Sequence, residues 1–442
     1  MSVYLDFNAT MPILPEVRCG LLDILNGPMN SSATHSDGRR ARSLVEKARI
    51  KLRQALDVPE DYRVIFTSTG TEANNLAING MRHSVDKVFT SNIEHSSVLQ
   101  TVGEGLISVD KDGRFLEQDL LEQIFLGQNL ENRYNHDTRK GLGKKNLISN
   151  SQNHLFSLML ANNEVGTIQD IEKITNNIRA NGHIIHTDAT QAIGKIPVSV
   201  KKLGVDMLTI SGHKFGGSLG AGALIYREIL DLKPIIYGGG QEYRLRSGTT
   251  NVMSIHGMGI ACEHIKRNCS IMREDILKLR HFIENEIGDD YNSRHDVRTG
   301  YCDNMAFKTK QESYGSQAET IEALGKSKSS GSKVQNGAVI FAKYADRLPN
   351  TVSIAMPNVS ADVQVAYFDS KGISVSAGSA CSSAKTASIP YVQMAMGYDY
   401  DIAKCAIRVS LGVTTTQKDV ELFVDAWHEL NRSTKNNRRG KE

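Results

Sequence analysis

Thr209-Ile-Ser-Gly-His-Lys-Phe-Gly-Gly217 places a lysine directly after a histidine, beyond an apolar run that includes Val205, Met207, Leu208 and Ile210. A short apolar run ending in Ser-Gly reads as a buried parallel strand that opens into a loop at its carboxyl end. The glycines let the chain turn sharply there. In open α/β sheets that edge is where ligands bind, and a lysine on it can bond a carbonyl compound. Taken alone, a His-Lys pair equally describes a solvated loop lysine beside a capping histidine. The rest of the chain has to decide.

Working outward, the same strand-then-loop pattern recurs. Residues 62–67 read as a buried strand, followed by Ser68-Thr-Gly-Thr71 and a helix carrying Leu76, Ala77 and Ile78. A small hydroxyl- and glycine-bearing loop at a helix N-terminus offers free N–H groups and a dipole to an anion, which makes it a phosphate cradle. Residues 87–90 lead to His95, and residues 156–160 lead to Asn163. Residues 183–187 deliver Asp188 and, three positions on, Gln191; residues 221–226 form the strand after the lysine loop. His183 and His186 fall on opposite faces of their strand, so they read as structural rather than as a metal pair. Before these strands, Ala41, Leu44, Val45, Ala48 and Leu52 recur at helical spacing, with Ser36 or Asp37 as the expected cap.

Repeated strand–loop–helix units predict an α/β fold with a mostly parallel sheet covered by helices. At 442 residues the chain exceeds what one core usually serves, so two domains are expected. Residues 13–255 form the large α/β unit. Residues 1–12 join 256–442 in a smaller α+β unit, whose last helix carries Val420, Phe423, Val424, Trp427 and Leu430 on one face. Residues 131–154 and 308–338 are polar, lack an apolar period, and read as surface insertions.

Composition excludes several classes. The chain is 40% hydrophobic and 23% charged, ordinary values for a soluble globular protein. A net charge of +3, spread along the chain, gives no case for direct DNA binding. No apolar run approaches the roughly 20 residues that cross a bilayer, and no signal peptide is visible at the N-terminus. The six cysteines (Cys19, Cys262, Cys269, Cys302, Cys381, Cys405) form no C-x-x-C pair, which argues against a disulfide framework or a structural zinc site. A cytoplasmic protein without metal is expected. Cys405 borders an apolar strand, and Cys19 and Cys262 lie in helical stretches; all three read as structural. The small polar neighbours of Cys381 suit an exposed loop instead.

An enzyme that uses pyridoxal 5'-phosphate needs a lysine for the covalent bond, a carboxylate for the pyridine nitrogen, donors for the phosphate and a group to stack on the ring. Lys214, Asp188, the Ser68–Thr71 loop and His95 each stand at the end of an expected strand. One such match is weak; four in separate loops are hard to assign to packing.

Tyr4-Leu-Asp-Phe-Asn-Ala-Thr10, Ser211-Gly-His-Lys-Phe-Gly-Gly217 and Ser379-Ala-Cys-Ser-Ser383 together resemble the NifS/IscS-type cysteine desulfurases. These belong to the class V aminotransferase group, fold-type I. The resemblance covers nearly the whole chain outside the two insertions. It implies a homodimer with a seven-stranded sheet in the large domain, and Lys214 as the cofactor-bonding lysine. It implies Asp188 as partner of the pyridinium nitrogen, and His95 stacked on the ring and helping to move protons. Gln191 would bond the ring 3-hydroxyl, with Asn163 near that oxygen and the substrate. Gly70, Thr71, Ser211 and His213 would hold the phosphate, with Thr249 reaching it across the dimer interface. Arg408 would clamp the substrate carboxylate.

The implied reaction takes sulfur from L-cysteine. The Cys381 thiolate attacks the substrate sulfur, alanine is released, and the persulfide passes to an acceptor such as an iron–sulfur scaffold protein or a tRNA-thiolation partner. Two departures from the family pattern, Met11 before Pro12 and Ser218-Leu219 after the double glycine, touch no assigned role. A selenocysteine lyase or another class V aminotransferase is the alternative enzyme. A homologue that carries sulfur without turnover is the alternative outside catalysis.

Overall fold

The computed structural model describes residues 2–103, 105–125, 153–288, 337–378 and 389–439. Cys302, Cys381 and nearly all of the two expected insertions lie outside the described residues.

The strands, in chain order, are β1 (Val3–Tyr4), β2 (Tyr62–Thr67), β3 (Lys87–Ser91), β4 (Leu106–Ile107), β5 (His154–Met159), β6 (Ile184–Asp188), β7 (Met207–Ser211), β8 (Gly222–Arg227), β9 (Val339–Ile340), β10 (Thr351–Ala355), β11 (Ile373–Ser374), β12 (Ser376–Ala377) and β13 (Ala406–Ser410). Seven of them form one sheet in the order β2-β8-β7-β6-β5-β3-β4. Only β8 runs against its neighbours, so β2, β3, β5, β6 and β7 all end on one edge. The mostly parallel sheet expected from the repeated units is present.

Both faces of this sheet are covered, which is why its strands read as unbroken apolar runs. Along β2, Val64 and Phe66 point to one cluster and Ile65 to the other. Along β8, Ala223 and Ile225 face the first cluster while Leu224 and Tyr226 face the second. Helix Ser36–Ala55 brings Ala41, Val45, Ala48 and Leu52 to the first face. Helix Gly70–Met81 brings Ala73, Leu76, Ala77, Ile78 and Met81 to the other. The cap of helix Ser36–Ala55 is a correction: His35, neither Ser36 nor Asp37, accepts the Gly38 N–H at 3.4 Å, and Ser36 is already the first helical residue.

Helix Val252–Ile287 runs from the first cluster, through Val252, Ile255, Met258 and Ile265, to another that contains Ile283. That cluster packs β10 and β13 against helix Gln417–Arg439, burying Val420, Phe423, Val424, Trp427 and Leu430. An antiparallel sheet, β12-β13-β10-β9, lies beside it. β1 pairs with β11 in parallel, and Asp6 bridges to Ser410. The run from Ile373 to Ala377 makes two short strands, β11 and β12. It divides at Val375, where the chain leaves β1 and joins β13.

Two more expectations change. β5 begins at His154, which belongs to the buried sheet rather than to a polar insertion. Cys19 is exposed on helix Pro15–Leu22 and packs in no core; Cys262 and Cys405 are buried.

Candidate active site

Three strand ends and one helix start meet at the common edge of the large sheet. β2 ends beside Gly70, the first residue of helix Gly70–Met81, whose N-cap is Thr69. The Thr69 hydroxyl accepts the Glu72 N–H at 3.1 Å, a cap that leaves other first-turn amides to an anion. Glu72 in turn accepts from the Ser68 N–H at 2.9 Å and from Arg246 Nε at 2.7 Å. Burial pushes the Glu72 carboxyl up, but the Arg246 hydrogen bond and the Ser68 amide outweigh it and hold it below the usual value. Gly70 is closely packed, and a side chain there would press on its neighbours. A Cβ there would stand 3.1 Å from Ser211 Cβ and 3.2 Å from Thr190 Oγ1.

Asp188 closes β6 and is 7% exposed. Its Oδ1 accepts the Thr190 N–H at 2.9 Å and its Oδ2 accepts Asn74 Nδ2 at 2.8 Å. Asn74 also donates to Ser97 Oγ at 2.9 Å. Ser97 Oγ lies 2.7 Å from His95 Nδ1, and the Ser97 N–H donates to the same nitrogen at 3.1 Å. Since a backbone N–H can only donate, Nδ1 is the acceptor and the His95 proton resides on Nε2. A continuous chain of hydrogen bonds thus joins Asp188 to His95 through two residues that the sequence reading passed over. The signal was present for Asn74: an amide three residues before Ala77 and four before Ile78 sits on a stripe that faces the core.

Beneath Asp188, His186 is fully buried between Ser157 Oγ and Thr209 Oγ1, each 2.9 Å from a ring nitrogen. Burial drives its pKa down to about 4, so it stays neutral.

The lysine loop is a short 3-10 turn, Gly212–Phe215. Lys214 Nζ donates to Asn8 O at 2.7 Å and Ala9 O at 3.0 Å. Asn8 is a hub. Its carbonyl also accepts Gln191 Nε2 at 3.1 Å, and its own Nδ2 donates to Asn163 O at 3.2 Å and Thr351 Oγ1 at 2.9 Å. Arg408, 4% exposed on β13, donates to Asn163 O at 3.0 Å and to Asp6 Oδ1 at 2.7 Å. Lys214, Gln191, Asn163 and Arg408 therefore converge around one asparagine. Ser211 is buried at the end of β7. His213 Nδ1 lies 3.1 Å from Thr10 Oγ1, and burial together with the Lys214 charge presses its pKa to about 4. Thr71 and Thr249 are exposed, and Cys381 lies outside the described residues.

Two buried carboxyls complete the surroundings. Glu94 Oε1 accepts from Ser91 Oγ at 2.7 Å and Met159 N at 2.8 Å, while Oε2 has no partner among the described residues. Burial pushes this carboxyl up to about 8. Glu164 is likewise pushed up by burial, to about 7. Arg408 and the Gln393 amide oppose that shift without reaching hydrogen-bond geometry with its oxygens. Its Oε2 would lie 2.8 Å from a Cβ on Gly378, so a side chain there would displace the Glu164 carboxyl.

A raised folded-state pKa gives a definite sign. The stability due to protonated Glu94 is fully present below about 4.5 and is lost as pH rises through about 8. At about 1.4 kcal/mol per pKa unit the loss is a few kcal/mol. Glu94→Gln keeps the acceptor for Ser91 and Met159 and removes the proton. Thermal melts at pH 5, 7 and 9 should show the variant close to the parent at pH 5, clearly more stable at pH 7, and ahead by a margin that levels off above about pH 8. A difference that does not change with pH would contradict this.

The Aminotransferase class-V family model matches residues 3–124, 143–314 and 332–423. The cysteine desulfurase IscS of Dictyoglomus turgidum is 32% identical over 438 residues, covering 97% of this chain and 94% of that one. The cysteine desulfurase IscS of Methanosarcina thermophila is 30% identical over 440 residues, covering 98% and 93%. Among solved structures, a NifS-like protein from Rickettsia africae superposes with a TM-score of 0.75 at 31% identity, covering 97% of this chain and 99% of that one.

Proposed function

This chain belongs to the class V aminotransferase family, as a cysteine desulfurase of the NifS/IscS type, and from that premise we propose that it bonds pyridoxal 5'-phosphate through Lys214 and carries the sulfur on Cys381. The observation that carries this reading is the meeting of Lys214, Asp188 and the Gly70 helix start on one sheet edge. The residues present fit the cofactor. Gly70 leaves a cradle that a Cβ would fill, and Asn163 Oδ1 is buried without a partner among the described residues, as expected of an acceptor facing a ligand.

When bound, pyridoxal phosphate supplies an electron sink that makes the α-proton of the amino acid acidic. The chain's own residues do the rest. Asp188, fixed by Asn74 and the Thr190 amide, would be the carboxyl partner of the pyridine nitrogen. The first-turn amides at Gly70 and Thr71, with Ser211 and neutral His213, are the donors for the phosphate. Gln191 holds one Nε2 hydrogen on Asn8 O and has a second for the ring oxygen. Lys214 accepts the α-proton at Nζ, and His95, carrying its proton on Nε2, helps to move it. Arg408 offers a guanidinium fork for the substrate carboxylate, which competes there with Asp6. The Cys381 thiolate takes the sulfur from L-cysteine and alanine leaves.

A homodimer in which Thr249 of one subunit reaches the phosphate of the other belongs to the same proposal. So does a partner that accepts the persulfide sulfur, such as an iron–sulfur scaffold protein. No helix of the described residues is long and apolar enough to cross a membrane. Cys19, Cys262, Cys269 and Cys405 are free thiols, which suits a reducing cytoplasm.

The test uses the purified protein. Its absorbance spectrum should carry the band of lysine-bound pyridoxal phosphate, and adding L-cysteine should yield alanine, with sulfide released when a reductant is present. A colourless protein that cannot be loaded, or one that returns the keto acid instead of alanine, overturns the reading.

A further inference from the structure

Lys195 lies four residues after Gln191, half-buried, with its amine turned inward beside the lysine loop. Its Nζ donates to Asn8 Oδ1 at 2.6 Å and to Gln191 Oε1. Both partners are neutral amide oxygens, and among the described residues no carboxylate pairs with it. Burial holds its amine well below the usual lysine value, and the Lys214 and Arg408 cations push it the same way. An amine buried so, with no counter-ion, costs stability rather than adding it. Packing alone therefore gives no account of a lysine here.

We propose that Lys195 is a positioning residue of the desulfurase site: by donating to Gln191 Oε1 and Asn8 Oδ1 it fixes which end of each amide faces Lys214. The inference rests on the cofactor site proposed above.

Amide oxygen and nitrogen differ little in shape, so a buried amide keeps one orientation only when its neighbours demand it. Lysine supplies donors to both oxygens whether its amine is charged or neutral, since the neutral amine still has two N–H bonds. With Oε1 held by Lys195, Gln191 must turn its NH2 toward Asn8 O, the same carbonyl that anchors Lys214 Nζ at 2.7 Å. One hydrogen of that NH2 is used on Asn8 and the other is left facing the site. Asn8 is held the same way. Lys195 and Asn350 Nδ2 (3.1 Å) both donate to its Oδ1, so its Nδ2 turns to Thr351 Oγ1 and Asn163 O. One buried amine thereby sets the polarity of the two amides that flank the catalytic lysine.

A double-mutant cycle between Lys195→Met and Gln191→Ala separates this from a packing role. The readouts are the rate of cofactor loss from the loaded protein, the position of its absorbance band, and the melting temperature of the cofactor-free protein. Each single variant should lose cofactor on the order of tenfold faster, the effect of one disordered hydrogen bond. The double variant should be worse than Gln191→Ala by clearly less than the full Lys195→Met factor, because part of the Lys195 effect acts through Gln191. Effects that multiply in the double variant would overturn the proposal while leaving the site reading intact. A Gln191→Ala protein with unchanged band and retention would instead overturn the site reading. If Lys195→Met does not fold, Lys195→Gln restores one donor to the same place. It should then recover the band position, and failure to do so counts against the proposal.

Discussion

Lys214→Ala is expected to lose the absorbance band of lysine-bound cofactor and to make alanine from cysteine at least about a thousandfold more slowly, the scale at which a positioned base acts. Two functions go together, the covalent anchor and the group that takes the α-proton. No neighbour can substitute for it. Lys195 is close, but its Nζ is committed to Asn8 Oδ1 and Gln191 Oε1 at the far side of the same asparagine. His95 has its Nδ1 occupied by Ser97 and presents only a proton at Nε2. The fold should not suffer, because Lys214 is only half-buried in a short turn whose ends are fixed by β7 and by the Gly217–Gly212 hydrogen bond. The spectrum and the steady-state rate of alanine formation check this directly. A variant that keeps more than about a tenth of the parent rate would remove Lys214 from the role.

Cys381→Ala should have an equally large effect on a different step. The cofactor band should be unchanged and the α-hydrogen of cysteine should still exchange with solvent deuterium, because Lys214, Asp188 and His95 are untouched. Alanine formation should fall by about a thousandfold or more, since nothing takes the sulfur. Among the described residues the other thiols offer no rescue. Burial pushes the Cys262 thiol up to about 12 and raises those of Cys269 and Cys405, so none supplies thiolate near neutral pH. Cys19 is exposed, but on helix Pro15–Leu22 rather than at the sheet edge.

Much of this architecture was open to reading from sequence because each strand of the large sheet is short, apolar and followed at once by a polar loop. That rhythm alone predicts a parallel sheet and tells which edge carries Asp188 and Lys214. The hub was less accessible. Asn8 gathers Gln191, Lys195, Lys214, Thr351 and Asn350, residues separated from it by 183 to 343 positions, and no local pattern encodes contacts of that range. Asn74 and Ser97 were hidden for another reason. Each stands in the first two turns of a helix, where a small polar residue ordinarily reads as a cap or as solvent-facing. Lys195 follows a glycine in a loop and resembles any surface lysine until its burial is known. His35 was missed as a cap because serine and aspartate, the usual residues there, follow it immediately. Cys19 was misplaced because helical spacing does not reveal which face of a short helix meets solvent.

The central claim is that sulfur leaves the substrate onto Cys381, and the most direct measurement is the mass of the peptide that contains it. Protein loaded with cofactor is mixed with one equivalent of L-cysteine in the absence of reductant, alkylated, digested and weighed. The Cys381 peptide should gain the mass of one sulfur atom in proportion to the alanine formed. The peptides of Cys19, Cys262, Cys269, Cys302 and Cys405 should gain none, and the Cys381→Ala protein should show no gain anywhere. Alanine formed in step with sulfur on another cysteine, or on none, would contradict the account.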